Sequence, residues 1–369
     1  MKYMVTLLPG DGIGPEVTQA AIRILSFIAG KYKIELKLTE KTIGGDSIDK
    51  NGVPITEDTL KSCYQSDAIF LGAVGGYKWE NLENHLKPEA GLLSLRKSLQ
   101  LYANIRPARI YSSFFESSSL KRDVLEGTDF IVLRELTGDI YFGEPRGMDQ
   151  THGWNTMSYT FEEVERIATM AFAMARNRKK KVISVDKANV LECSQFWRSV
   201  VEEVHKKYDD IKLQHMYVDN AAMQFVRYPK QFDVILTSNL FGDIISDIAA
   251  MITGSIGMLP SASLGEKYSL FEPVHGSAPD IGGQDKANPI AAIASIGMMF
   301  EYAFKIPDAA RKIDQAIELS LEQGYRTIDI YRDNDSMLIS TSKMTKNILL
   351  NLNDLYSTKS IHRLAPAGA

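Results

Sequence analysis

Short runs rich in β-branched and aromatic residues alternate along this chain with longer stretches of helical periodicity. Residues 3–8 lead into 15–29, 68–71 and 129–133 form further strand-like runs, 181–185 lead into 194–208, 212–218 follow, and 234–237 lead into 242–252. This alternation predicts an α/β architecture with substantial parallel pairing, because a parallel neighbour can be reached only through a crossover and a helix supplies one. At 369 residues the chain exceeds the size at which one core keeps growing, so two domains are expected. Between Gly143 and Tyr159 the pattern lapses into Gly, Pro, Asn and Thr. That segment reads as an arm or extended hairpin rather than a core element.

Composition narrows the function classes. A formal net charge of -4 with no long basic block argues against a nucleic-acid surface. The short basic run at 176–181 reads as the end of a helix, where cations suit the dipole. Cys63 and Cys193 have no metal-type spacing and read as reduced thiols of the cytoplasm. The apolar start of the chain is too short for a signal peptide and runs into a glycine turn, so it reads as a first strand. The most apolar later stretch, 289–304, is interrupted by Glu301 and falls short of the ~20 residues a membrane span needs. A buried helix is the expectation there.

The segment NLFGDIISD sets Asp243 and Asp247 four residues apart within an apolar helical pattern. Like charges at that spacing share one helix face and destabilise it by about 0.2–0.5 kcal/mol. A hard divalent cation, Mg²⁺ or Mn²⁺, would remove the repulsion, since such ions take oxygen ligands and often only one or two carboxylates. A solvated acidic face is the competing reading, and such a pair standing alone is more often that. Asp219, after a strand-like run in YVDNAA, offers a third oxygen ligand.

Arg96, Arg106 and Arg134 stand in separate segments, each at the edge of an apolar run. Converging guanidinium forks would suit a di-acid, although each could instead pair with a surface carboxylate. Tyr141 and Lys187 are candidate proton-transfer groups, against the usual packing role of Tyr and the usual solvation of Lys. Near other cations or partly desolvated, a lysine loses basicity and can take a proton from a hydroxyl. LLPGDGIGPE follows a strand and opens a helix, but Pro15 stands where a dinucleotide fingerprint needs glycine. Its glycines make a tight turn that can border a cofactor. The loop FEPVHGSAPDIGG, followed by Asn288, can present backbone amides and His275 to a nucleotide, or can be a plain surface loop.

Six ordered segments carry a resemblance that spans nearly the whole chain: LLPGDGIGPE, EAGLLSLRKSLQLYANIRP, RELTGDIYFG, SVDKANVLE, FGDIISD and HGSAPDIGG. Together they closely resemble the isocitrate and isopropylmalate family of β-decarboxylating dehydrogenases. The resemblance, rather than any one spacing, favours the metal reading. It implies a two-domain α/β fold with mixed parallel and antiparallel sheets and an active site in the interdomain cleft. The first domain would comprise 1–101 and 254–369, with the second, 102–253, forming a homodimer interface and carrying an arm at about 143–159. It also implies that Arg96, Arg106 and Arg134 hold substrate carboxylates, that Tyr141 and Lys187 move protons, and that Asp219, Asp243 and Asp247 bind Mg²⁺ or Mn²⁺. Lys187 and Asp219 would reach in from the partner subunit. Ile13, His275, Gly276, Ser277, Ala278, Pro279, Asp280 and Asn288 would bind NAD. No membrane or nucleic-acid partner is implied.

Within that family the substrate is set by the group on the carbon that loses CO₂. Glu89, Leu92 and Leu93 occupy the specificity segment, and two adjacent leucines suit an isopropyl group better than a third carboxylate. The expected reaction is NAD-dependent oxidation and decarboxylation of 3-isopropylmalate to 4-methyl-2-oxopentanoate and CO₂, in leucine biosynthesis. A methylene's worth of contact is only ~1–3 kcal/mol, so D-malate is a possible side substrate. Asp280 can bond ribose hydroxyls and repels a 2′-phosphate, which points to NAD over NADP. A noncatalytic subunit would lose some of these side chains, and this chain keeps them all. The tail from Ser357 to Ala369 reads as weakly structured.

Overall fold

The computed structural model of this protein describes residues 1–111, 115, 118, 120–332 and 336–362. Its strands run β1 (Lys2–Gly10), β2 (Glu35–Glu40), β3 (Ala68–Ala73), β4 (Ala103–Arg109), β5 (Asp129–Glu135), β6 (Gly147–Met148), β7 (Gly153–Trp154), β8 (Lys181–Asp186), β9 (Lys212–Tyr217), β10 (Val234–Thr237), β11 (Pro260–Leu264) and β12 (Ser269–Pro273), followed by a short parallel pair, β13 (Tyr325–Arg326) and β14 (Met337–Leu338). The helices that matter below are α1 (Gly14–Lys31), α2 (Pro88–Ser98), α3 (Phe161–Arg176), α4 (Glu192–His205), α5 (Val218–Arg227), α6 (Asn239–Ile252), α7 (Ile290–Met298) and α8 (Thr341–His362). The chain divides into two compact units, Met1–Leu95 with Gly257–Pro260 and Ser269–Ala369, and Arg96–Ile256 with Ser261–Tyr268.

In the first unit the strand order is β2-β1-β3-β12, with all pairs parallel. Pro15 sits in the first turn of α1, where its missing N–H costs nothing. Val17, Ala21, Ile24, Leu25 and Ile28 then fall on one buried face, the stripe that helical periodicity requires of a helix laid on a sheet. Burying each of the larger ones contributes about 1.5–3 kcal/mol. The apolar stretch at 289–304 folds as α7, buried on nearly every side, continuing into a π-helical turn. Helix α8 docks through Met344, Ile348 and Leu352. The helix runs to His362. Residues 363–369 of the expected tail lie outside the described residues.

In the second unit the order is β11-β4-β5-β10-β8-β9. The β11/β4 and β4/β5 pairs are antiparallel and the rest are parallel, which makes the architecture a mixed α/β one. Its core gathers Phe130, Val132, Phe225, Phe232, Ile235 and Ile245. Phe225 and Phe232 stack at 4.5 Å between ring centroids. Helix α3 opens with a capping box in which the Thr160 hydroxyl accepts from the Glu163 amide and the Glu163 carboxylate accepts from the Thr160 amide. The basic run at 176–181 ends this helix and pairs with acids, Arg176 with Asp210 and Arg178 with Asp129 and Asp233. Strands β6 and β7 pair antiparallel, Gly147 opposite Trp154, as a short ribbon that exposes Met148. Among the described residues no helix is long and apolar enough to cross a membrane.

Candidate active site

The arginines are placed by sheet register. Asn104 on β4 lies opposite Arg134 on β5. Because side chains alternate along a strand, Asn104, Arg106 and Arg134 share one face. Arg106 donates from Nε to Asn104 Oδ1 at 2.6 Å and from Nη1 to the Ser246 hydroxyl of α6 at 2.6 Å. Arg134 donates from Nε to Asn239 Oδ1 at 2.9 Å and pairs with Asp243 through Nη1. Gly242 makes that approach possible, since a Cβ there would lie 2.7 Å from Arg134 Cγ. Arg96, buried at the end of α2, adds its charge. It acts against protonation of both Arg134 and Asp243.

Asp243 is the centre of this group. One carboxylate oxygen meets Arg134, with Arg106 Nη2 at 3.8 Å, and the other accepts the Tyr141 hydroxyl at 2.8 Å. Burial alone would raise its pKa, but Arg134, Arg106 and the Tyr141 hydrogen bond outweigh burial and hold it below the ordinary carboxylate range. Tyr141 moves the other way. Burial, with the Asp243 carboxylate beside it, pushes its phenol up to about 12. Tyr141 is therefore a neutral hydroxyl donor near pH 7. One turn along α6, Asp247 makes no hydrogen bond or ion pair among the described residues. Its pKa is raised, by burial first and also by repulsion from Asp243, with Arg106 opposing.

An unpartnered carboxylate one helical turn from a second carboxylate fits a divalent cation, which would favour the charged form of both. Asp219 does not join them within one chain. Among the described residues no three His, Cys, Asp or Glu side chains converge closely enough to hold a metal. Asp219 instead pairs with Lys187 at 2.7 Å, Lys187 being 28% and Asp219 61% exposed. Register explains the pair: Asp186 of β8 lies opposite Tyr217 of β9, so the chain leaves both strands side by side and α5 opens with Asp219 in its first turn. The hydrogen bond from Lys187 holds the Asp219 carboxyl below its ordinary value.

The residues expected to hold the cofactor belong to the first unit. The Ile13 amide donates to the Ser277 carbonyl at 2.7 Å, and Gly12 lies so close to that carbonyl that a Cβ would overlap it. His275 is buried and held neutral by burial. Its Nδ1 faces the Gly276 carbonyl at 2.9 Å, so the proton belongs on Nδ1. Nε2 is then a buried acceptor with no partner among the described residues, which fits a cofactor donor. Gly276, Ala278, Pro279 and Asp280 form an exposed turn, and the Tyr77 hydroxyl reaches Asp280 at 3.4 Å. Asn288 donates to Asp329 at 3.0 Å and accepts from the Ile290 amide at 3.0 Å. On α2, Leu92 and Leu93 are partly buried, and the Glu89 carboxylate lies over Gly75.

Sequence reasoning missed Asn104, Ser246 and Asn239, which orient the arginines. Asn104 was detectable only as a polar residue in a run that burial requires to be a strand.

The model of the family described as isocitrate/isopropylmalate dehydrogenase matches residues 4–348, and the chain belongs to that family. A relative from Chlorobium chlorochromatii named 3-isopropylmalate dehydrogenase is 58% identical over 352 residues, covering 95% of this chain and 100% of the relative. One of the same name from Aquifex aeolicus is 53% identical over 358 residues, covering 96% of this chain and 98% of its own. Among solved structures, an isocitrate dehydrogenase from Methylococcus capsulatus is 33% identical with a TM-score of 0.82, covering 95% of this chain and 99% of that one. A β-decarboxylating dehydrogenase from Thermococcus kodakarensis, in its apo form, is 33% identical with a TM-score of 0.80, covering 97% and 98%.

Proposed function

We propose that this chain is an NAD-dependent 3-isopropylmalate dehydrogenase of leucine biosynthesis, yielding 4-methyl-2-oxopentanoate and CO₂. The observation that carries the reading is Asp243 held among Arg106, Arg134 and Tyr141 with an unpartnered Asp247 one turn away. Arg96, Arg106 and Arg134 bind and orient the two substrate carboxylates. Asp243 and Asp247, with Asp219 of the partner subunit, hold Mg²⁺ or Mn²⁺. When bound, the metal supplies acidity to the substrate hydroxyl and charge stabilisation as CO₂ leaves, and NAD supplies the hydride acceptor. The partner subunit's Lys187 takes the hydroxyl proton. Tyr141, neutral at working pH and aligned by Asp243, returns a proton to the carbon that lost CO₂. Leu92 and Leu93 supply the apolar contact that favours an isopropyl group, with Glu89 on the same helix.

Ile13, His275, Gly276, Ser277, Ala278, Pro279, Asp280 and Asn288 hold the NAD, with Asp280 selecting against a 2′-phosphate. The chain is organised as a first domain, 1–101 with 254–369, and a second, 102–253. The assembly is a homodimer, supported by exposed Met223 and Val226 on α5 and Ile244 and Met251 on the adjoining α6. The ribbon at 143–159 extends that contact, and the cytoplasm is the working compartment, in keeping with free Cys63 and Cys193.

The test is NADH formation at neutral pH with Mg²⁺ on 3-isopropylmalate, D-malate, isocitrate and tartrate, with and without chelator. Chelator-sensitive turnover with preference for 3-isopropylmalate is expected. Preference for D-malate overturns the assignment of the leucines, and silence on all four overturns the catalytic reading.

A further inference from the structure

We infer that Asn239 is a positioning residue for the proposed reaction, fixing Arg134 and the turn that carries Tyr141 against each other through one carboxamide. The inference rests on the function proposed above. Asn239 opens α6 and is 2% exposed. Its Oδ1 accepts from Arg134 Nε at 2.9 Å, and its Nδ2 donates to the Gly138 carbonyl at 3.2 Å. The placement of O and N is forced, because a guanidinium offers only donors and a carbonyl only lone pairs.

Gly138 stands at the start of the turn that presents Tyr141. The Asp139 carbonyl closes that turn by accepting from the Phe142 and Gly143 amides. The same turn is tied to the start of α6 by the Asp139 carboxylate, which accepts from the Leu240 amide at 3.0 Å while also accepting from Ile140 at 2.7 Å. The Tyr159 hydroxyl accepts from the Asn239 amide at 2.9 Å. These bonds hold helix to turn, and the Asn239 side chain also reaches Arg134.

The contacts close into a ring. Asn239 holds Arg134, Arg134 pairs with Asp243, Asp243 accepts the Tyr141 hydroxyl, and the turn leads back through Gly138 to Asn239. A substrate-binding group and a proton donor are thereby placed by one buried side chain. Catalytic groups need placement within about 0.5 Å, so opening the ring acts on binding and on chemistry separately.

Two variants separate the two arms. Asn239→Asp keeps the oxygen that holds Arg134 and loses the donor to Gly138, whereas Asn239→Leu loses both. For Asn239→Leu, calorimetric binding of 3-isopropylmalate with Mg²⁺ and without NAD should weaken by about tenfold or more. For Asn239→Asp, binding should stay within about threefold while kcat falls about tenfold, more in turnover of the oxo-acid intermediate than in hydride transfer. The Arg134 Nε–H resonance of the ligand-free protein gives a readout without substrate. It should remain protected from exchange in Asn239→Asp and lose protection in Asn239→Leu.

Wild-type affinity and kcat in both folded variants, or equal affinity in the two, overturns the proposal. Should Asn239→Leu fail to fold, the split between affinity and kcat in Asn239→Asp decides alone. Absence of wild-type turnover with the expected resonance behaviour overturns the proposed function and leaves the positioning geometry standing.

Discussion

Replacing Gly242 by alanine separates two effects of opposite sign. Gly242 lies inside α6, where alanine favours the helix by about 0.8–1 kcal/mol. A Cβ there would stand 2.7 Å from Arg134 Cγ, 2.8 Å from its Cβ and 3.0 Å from Thr237 Cγ2. Carbon atoms prefer about 3.5–4.0 Å, so either α6 lifts or Arg134 swings away. Overpacking of this kind costs about 1–3 kcal/mol, which leaves a net change from near zero to about 2 kcal/mol of destabilisation. A domain of this size would lose about 2–4 °C in Tm for each kcal/mol. Arg134 would also lose its hold on Asn239 and Asp243. Hydrogen bonds to charged groups are worth about 1.5–3 kcal/mol, so KM for 3-isopropylmalate should rise by about tenfold to a hundredfold. Gly30 in α1 is the control, because nothing lies within 4 Å of a Cβ there. Gly30→Ala should gain about 0.4–1 kcal/mol with KM unchanged. Thermal melts and steady-state kinetics on both variants suffice. A Gly242→Ala protein that gains stability as Gly30→Ala does, with wild-type KM, would refute the described packing of α6 on Arg134.

Four further outcomes are expected. Tyr141→Phe should slow turnover of the oxo-acid intermediate more than hydride transfer, measured by comparing that partial reaction with the full one; equal losses would count against Tyr141 as the final proton donor. Leu92→Ser should lower kcat/KM for 3-isopropylmalate relative to isocitrate by about tenfold or more, the worth of ~1–3 kcal/mol of apolar contact, and an unchanged ratio would remove the leucines from specificity. Asp280→Lys should raise kcat/KM with NADP relative to NAD, and a fixed preference would mean that another residue reads the ribose. Burial pushes the Cys63 thiol up to about 12 and the Cys193 thiol up to about 11, so each should react with an aromatic disulfide at pH 8 at least ~100-fold more slowly in the native state than after unfolding. Rapid labelling of native protein would contradict the described burial.

The strands legible in the sequence were those whose apolar runs end in turn residues, such as β1, β5, β8 and β10. Strand β4 was not, because it carries Asn104, Arg106 and Pro107 among its apolar residues. Its polar side chains are buried for the site, so the local pattern departs from a core strand where function requires it. The antiparallel pairs that β4 makes were also invisible to a strand-helix alternation that speaks only of crossovers. The acids of α6 were legible from their spacing of four. Their partners were not, since the ring through Asn239 depends on the register of β4, β5 and α6, which no local segment encodes. The pairing of Lys187 with Asp219 depends likewise on β8 and β9 lying in register.

Because Lys187 and Asp219 stand apart from Asp243 and Asp247 within one chain, the proposed dimer makes each active site a joint product of two polypeptides. Two defective forms can then repair each other. Chains carrying Lys187→Ala and chains carrying Asp247→Asn should each be nearly inactive as homodimers. Subunits exchanged between them form mixed dimers in which one of the two sites has every side chain intact. Random reassortment should restore about a quarter of the wild-type sites. In a cell holding both alleles, neither alone would support growth without leucine, and the pair would.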